Sequence, residues 1–525
     1  MTERIAAMRM NEDNRRWWAL GAMCFALFMI MLDNTVVNVA LPSIQRSLDA
    51  TTSTLEWTVN AYTLTFAVLL VTGGRLGDIF GRRRIFLIGV VIFATASGAI
   101  GFSPNDTWLV VWRAIQGSGS ALMMPMTLSI ITNAFPPQER GKAIGTWAGV
   151  SAMALAIGPV LGGLLVETVS WQSIFFLNLP VAVGAIIVAL FAVRESRDET
   201  VERTVDIPGV LTLTVSLAAL VLALVEGNSW HWDSARIIAL FAIAIVGLTS
   251  FVQIELRRRV PMVDFSFFRA RTFLGANAVA FIVSFAMLAM FFFLALYMQN
   301  IRGYTPLQAG VRFLPSTLLV IVMGPLAGRL ADRVGPRPLM TLGLVLISGA
   351  LFWLSHITVS SGYMALLPGF MLMGVGIGLT MSPMSTAAMN SVEQTKAGVA
   401  SGILSQNRMV GGTFGVAITG ALVSSLGGSK IDQLLPMASS AQRAHLTASL
   451  GSGAVLPGLP AKALEATHIA YVYALQTGLR VGASVALLGA LLAWVMVSPR
   501  LAGARERAGQ AAAASEPAGA EAVHV

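Results

Sequence analysis

At 525 residues, 55% of them hydrophobic and only 12% charged, with a mean hydropathy of +0.73, the chain falls far outside the composition of a soluble domain and reads as a polytopic membrane protein. The net charge of +9 does not point to nucleic acid, because Arg and Lys cluster in alternate short loops, as membrane orientation requires. A single cysteine, Cys24, and five scattered histidines exclude a disulfide framework and leave no metal-ligand spacing.

A bilayer core takes roughly 20 apolar residues per helix. Fourteen such segments are predicted, at 17–41, 57–74, 85–102, 109–132, 143–166, 174–193, 208–225, 237–253, 273–297, 308–330, 338–354, 364–384, 400–424 and 472–497. The first is too long for a removable signal peptide and lacks a small-residue cleavage site. An even count puts both termini on one side. Arg15 and Arg16 before helix 1, Arg82 to Arg84 after helix 2, Arg140 and Lys142 after helix 4 and Arg257 to Arg259 after helix 8 share that side, which the positive-inside rule makes the cytoplasm. The stretch 426–467 is expected to be a long polar outer loop, and the Ala-, Gly- and Glu-rich tail 498–525 to be disordered.

Helix 1 closes on Leu32-Asp33-Asn34-Thr35-Val36-Val37-Asn38. A carboxylate within a span costs about 2.5–3.5 kcal/mol on insertion scales, so Asp33 should face a cavity or a partner. It is a candidate to load a proton or pair with a cation; the plainer alternative is a structural Asp tied to Asn34 or Asn38. Between helices 2 and 3, Gly74-Arg75-Leu76-x-Asp78-x-x-Gly81-x-Arg83 recurs 254 residues later, between helices 10 and 11, as Gly328-Arg329-Leu330-x-Asp332-x-x-Gly335-x-Arg337. A loop repeated in register implies two related halves of six helices, with helices 7 and 8 inserted between them. Pro336 stands in the second copy where the first has Arg82.

Helix 4 carries Arg113 in Trp112-Arg113-Ala114-Ile115-Gln116-Gly117. Arginine keeps its proton, so Arg113 acts electrostatically, with Asp33 as the most plausible partner, or else snorkels to the headgroups. In helix 5, the run from Gly149 through Gly158-Pro159-Val160-Leu161-Gly162-Gly163 combines a kink with small residues, expected either to pack at the bundle interface or to serve ordinary helix packing. Helix 13 carries Gln406-Asn407-Arg408; Arg408 either stabilises structure or attracts anionic parts of a substrate. Glu56, Glu167 and Glu226 lie near outer helix ends and are expected at the interface. Phe285, Met290 and Phe293 of helix 9, with Met381 and Met384 of helix 12, form an apolar stripe that is either cavity lining or else lipid-facing or core.

These motifs, spread over residues 15–497, resemble those of the major facilitator superfamily, in its fourteen-helix drug:proton antiporter subfamily. The resemblance implies an all-α membrane protein of the major facilitator fold, with two six-helix bundles, two inserted helices and 14 transmembrane helices. It divides the chain into a cytoplasmic N-terminus (1–16), a first bundle (17–194), a linker with helices 7 and 8 (195–259), a second bundle (260–497) and the tail. It implies proton coupling at Asp33 and Arg113, and a substrate cavity lined by Asn34, Asn38, Tyr62, Gln116, Gln406 and Arg408. A cytoplasmic gating loop would comprise Gly74, Arg75, Asp78, Gly81, Arg82 and Arg83, with Asp332 as its repeat. Gly158, Pro159, Gly162 and Gly163 match the helix 5 motif of antiporters. The implied function is proton-coupled export of amphiphilic or hydrophobic small molecules across a bacterial inner membrane, by a monomer driven by the proton gradient with no cofactor. The alternative is an exporter dedicated to one endogenous metabolite, lipid precursor, siderophore or antibiotic. No phosphate loop, pore-charge ring or convergent His, Ser or Cys constellation suggests an ATPase, a channel or an enzyme.

Overall fold

The computed structural model describes residues 12–50, 52–137, 139–197, 206–227, 230–258, 261, 263, 265–452 and 460–499. Among these the protein is all-helical. In chain order the helices are α1 (Glu12–Leu48), α2 (Thr52–Phe80), α3 (Arg82–Gly101), α4 (Asp106–Ala134), α5 (Arg140–Thr168), α6 (Ser173–Phe176), α7 (Asn178–Ala192), α8 (Ile207–Glu226) and α9 (Ala235–Arg257). They continue as α10 (Arg271–Leu296), α11 (Pro306–Val334), α12 (Pro336–Leu354), α13 (Tyr363–Met389), α14 (Ala397–Leu434), α15 (Ser440–Ser452) and α16 (Ala461–Met496).

Among the described residues, twelve candidate spans are long and apolar enough to cross a bilayer, against the fourteen expected; α4 and α5, 29 residues each, are not among them. In α4 the reason is visible, since it buries Arg113, Gln116, Ser120, Thr127, Ser129 and Thr132. A helix that turns polar groups to its neighbours loses hydropathy without losing length.

Helix ends differ from the apolar segments for a related reason: hydropathy marks where lipid stops, not where the helix stops. The region 426–467, expected to be loop, is largely helical in its described residues, 426–452 and 460–467. It comprises the end of α14, all of α15 and the first turns of α16, with Leu446 and Leu450 of α15 buried against α14. The Gly74–Arg84 motif is likewise not a loop. α2 runs through Gly74, Arg75 and Asp78 to Phe80, Gly81 alone makes the corner, and α3 starts at Arg82. Gly81 has φ 107°, and its repeat Gly335, between α11 and α12, has φ 85°. Residues with a Cβ rarely adopt such angles, which accounts for glycine at both corners.

Packing follows a pseudo-twofold pattern. The second helix of each half lies on the fifth helix of the other: α2 on α14, and α11 on α5. Glycines bring the backbones together. A Cβ on Gly74 would overlap the Gly398 carbonyl, and one on Gly328 would overlap that of Gly141. Within the halves, α1 packs on α5 and α7, α3 on α4, α10 on α14 and α16, and α12 on α13 and α16. α8 lies along α2 and α14, with α9 on α8. Only 17% of the apolar window of α9 is buried, leaving Ile238, Ile245 and Val246 exposed as a lipid-facing surface. Glu226, expected at the interface, is the last residue of α8 and is buried there, its carbonyl accepting the Trp230 N–H.

Candidate functional site: a buried ion pair and a double helix-end latch

Asp33, near the far end of the first span, is 4% exposed and lies against α4. Its Oδ2 accepts a hydrogen bond from Arg113 Nη1 at 2.6 Å, and its Oδ1 accepts one from Gln116 Nε2 at 3.0 Å. Arg113 Nη1 also donates to Gln116 Oε1 at 2.7 Å and Arg113 Nε to the Thr58 carbonyl at 2.9 Å. One turn of α4 thus supplies both partners of the carboxylate, because residues three apart share a helix face. Arg113 is 1% exposed, so it does not reach towards headgroups. The Tyr62 ring lies 4.3 Å from the guanidinium carbon, a cation–π contact. The Tyr62 hydroxyl pairs with Ser120 Oγ at 2.9 Å and meets the side chain of Asn34, which also donates to the Ile30 carbonyl.

The network runs beyond the residues expected from sequence. Gln116 Nε2 lies 3.4 Å from Ser97 Oγ, which accepts from Asn178 Nδ2 at 2.9 Å and donates to the Phe175 carbonyl. Ser97, Ser120, Thr58 and Asn178 carried no sequence signal; a polar residue on the inner face of an apolar helix was the only available cue. Breaking a buried pair by removing one partner costs about 3–5 kcal/mol, so this site is held together tightly or not at all.

The second site lies at the arginine-rich face. Asp78 Oδ1 accepts the Gly398 N–H at 2.9 Å and Oδ2 the Val399 N–H at 2.8 Å. These are orphan donors of the first turn of α14, where a carboxylate also meets the positive end of the helix dipole. Arg82 pairs with Asp78 at 2.8 Å and donates to the carbonyls of Gln394 and Thr395 at 2.9 and 2.6 Å, tying the corner to the other half. Asp332 faces the Gly141 and Lys142 backbone N–H groups in the first turn of α5, but more loosely, its Oδ1 being buried without a hydrogen-bond partner. The repeat thus places an acid at the equivalent helix start of the other half, without the arginine pair that Asp78 has, since Pro336 stands in place of Arg82. Arg140 Nη1, donating to Asn390 Oδ1 at 2.8 Å, adds a contact missed from sequence. Arg75 is buried, and Arg83 Nη1 donates to the Val193 carbonyl at 3.2 Å, within its own half.

Of the helix 5 motif, Gly149 sits on the seam between halves and Gly158, Gly162 and Gly163 do not. Gly158 and Gly162 face Thr35 and Val36 of α1, and Gly163 faces open space. The seam glycines of α5 are Gly141, Gly145 and Gly149, opposite Gly328, Gly324 and Ile321 of α11. The side chains of Asn38, Glu56 and Pro159 lie outside the described residues.

The expected cavity residues are not all together. Tyr62 and Gln116 belong to the Asp33 network. Gln406 and Arg408, two positions apart on α14, project from nearly opposite faces. Gln406 is 7% exposed with neither amide atom partnered, and Arg408 lies across from Met381 and Trp147. The Met and Phe stripe is mostly core: Phe285, Met290, Phe293, Met381 and Met384 are buried.

The Tetracenomycin C resistance and export protein of Streptomyces glaucescens is 33% identical over 490 residues, covering 91% of each chain. The Multidrug resistance protein Stp of Mycobacterium tuberculosis is 38% identical over 407 residues, 77% of this chain and 75% of that one. The fold is shared with the proton:xylose symporter XylE bound to 6-bromo-6-deoxy-D-glucose, at TM-score 0.61 and 14% identity, over 93% of this chain and 97% of that one. The Major Facilitator Superfamily profile matches residues 23–416, and the chain belongs to this family of membrane transporters rather than to any class of enzyme.

Proposed function

We propose that the protein is a proton-coupled antiporter that exports amphiphilic or hydrophobic small molecules across the bacterial inner membrane by alternating access. The observation that carries this reading is the buried Asp33–Arg113 pair with its 2.6 Å contact. Asp33 is the exchangeable group. When it binds a proton, Arg113 loses its counter-charge and the contacts around Gln116 must rearrange; when it releases the proton, they re-form. The latches at Asp78 and Asp332 close the face opposite the end of α1 that holds Asp33. In this reading the arginine-rich face is cytoplasmic, the conformation is closed to the cytoplasm, and both termini are cytoplasmic. α4 and α5, each about 43 Å long, cross the bilayer with the twelve apolar helices, making fourteen. The halves are 17–194 and 260–497, with 195–259 as the inserted segment, and the working unit is a monomer.

The test is transport of a fluorescent amphiphile into inverted vesicles under an imposed pH gradient. Asp33→Asn should insert normally and lose gradient-driven uptake. Normal uptake by the inserted variant would overturn the assignment. The names of the relatives support export of antibiotics, and the first of them names a single compound, which favours a dedicated exporter as the second reading. A panel of dyes and antibiotics in the same vesicles separates the two.

A further inference from the structure

The two halves treat their intramembrane arginines differently. In the first, Arg113 is neutralised by Asp33. In the second, Arg408 has no carboxylate partner among the described residues. Its Nη2 donates weakly to Met381 Sδ at 3.9 Å, its guanidinium carbon lies 6.0 Å from the Trp147 ring, and its Nε is buried without a partner. Eleven residues from Ala397, Arg408 lies about 17 Å along α14, near the middle of a bilayer of about 30 Å. Headgroups are out of reach at that depth. The side chain is half-buried, and its neighbours come from α13 and from α5 of the opposite half, so it faces the interior between the halves rather than lipid.

A cation in that position without an internal counter-ion is costly and marks a binding path. Ordinary structural arginines in spans find a carboxylate or backbone carbonyls, as Arg113 does with Asp33 and Thr58. Arg408 has a soft sulfur and an aromatic face instead, groups that favour a flat polarizable ring. Building on the exporter reading, we propose that Arg408 anchors a substrate subsite for amphiphiles carrying a carboxylate, sulfonate or phenolate next to an aromatic ring, with Met381 and Trp147 packing on the ring. The anion supplies the counter-charge that the protein withholds. The subsite is separate from Asp33, so an acidic substrate and the coupling proton occupy different halves.

Equilibrium binding to the purified protein in lipid nanodiscs, against empty nanodiscs, tests this without any gradient. The probes are 8-anilinonaphthalene-1-sulfonate and N-phenyl-1-naphthylamine, which share a ring skeleton and differ in the sulfonate. Arg408→Gln should weaken the sulfonate about tenfold or more, the scale of a charge-assisted bond, and leave the neutral amine within about twofold. Arg408→Lys should keep most of the sulfonate affinity. Met381→Glu, which leaves the arginine in place and gives it an internal carboxylate, should also abolish sulfonate binding, and it decides the matter if Arg408→Gln fails to fold. The proposal is overturned if the wild type shows no saturable sulfonate binding, if Met381→Glu or a folded Arg408→Gln leaves it unchanged, or if both probes are lost equally. Asp33→Asn should bind the sulfonate normally, so failure of proton coupling and failure of this subsite are separate results.

Discussion

Asp332 faces the first turn of α5 where Asp78 holds the first turn of α14, each set against the second and third residues of the helix, with the closer hydrogen bonds at Asp78. The two contacts are related by the repeat and bridge the halves in opposite senses. Opening this face breaks both. Asp78→Asn removes a charge-assisted cap worth about 1.5–3 kcal/mol, and the closed population should fall about tenfold or more; Asp332→Asn, at the looser contact, should do less. Labelling of single cysteines placed on the seam, in a Cys24→Ser background, should rise from the arginine-rich side for each variant and further for the double variant. Unchanged labelling would remove the latch role.

The Asp33–Arg113 pair makes a stability prediction independent of transport. Arg113→Gln leaves a buried carboxylate alone and should cost about 3–5 kcal/mol, read as a lower thermal midpoint in detergent. Adding Asp33→Asn should recover part of that loss, because a neutral amide can share hydrogen bonds with Gln116. A double variant less stable than Arg113→Gln alone would show that the charges do not compensate each other.

The seam glycines predict a sharp contrast along one helix. Gly141→Ala puts a methyl group into the Gly328 carbonyl and the Asp332 carboxylate, so it should disfavour the closed face and slow transport. Gly163→Ala, on the same helix, meets nothing within 4 Å and should change transport and thermal midpoint little, within about 0.5 kcal/mol. Equal effects would mean that the seam is not packed at contact distance during the cycle.

Charge bookkeeping across the membrane separates acidic from neutral cargo. If one proton enters per molecule exported, a neutral amphiphile moves one net charge and a monoanion two. Each charge is worth about 2.3 kcal/mol per 100 mV, so an inside-negative potential should speed export of 8-anilinonaphthalene-1-sulfonate more than that of N-phenyl-1-naphthylamine. A potassium–valinomycin clamp on proteoliposomes measures this, and equal sensitivity would argue that acidic cargo leaves with an extra counter-ion.

The repeat, the register of the halves and the Asp33–Arg113 partnership were legible because each rests on charged residues that stand out against apolar sequence. What escaped is contact between small residues. Nothing in the sequence separates Gly141 and Gly145, which meet the other half, from Gly158 and Gly162, which meet α1; the difference lies in which face of α5 each occupies. Helix lengths escaped as well. α14 and α16 extend past their apolar windows, and the break of α2 shrinks to Gly81, because helix propensity continues where hydropathy falls. The neutral polar groups around the ion pair, Ser97 and Asn178, were silent for want of charge.

The one-residue corners at Gly81 and Gly335 have a mechanical corollary. A joint with a single backbone step has no slack, so α2 with α3, and α11 with α12, turn as bent levers rather than as hinged rods. Torque applied at either acid-capped helix end is therefore passed to a neighbouring helix of the same half without loss.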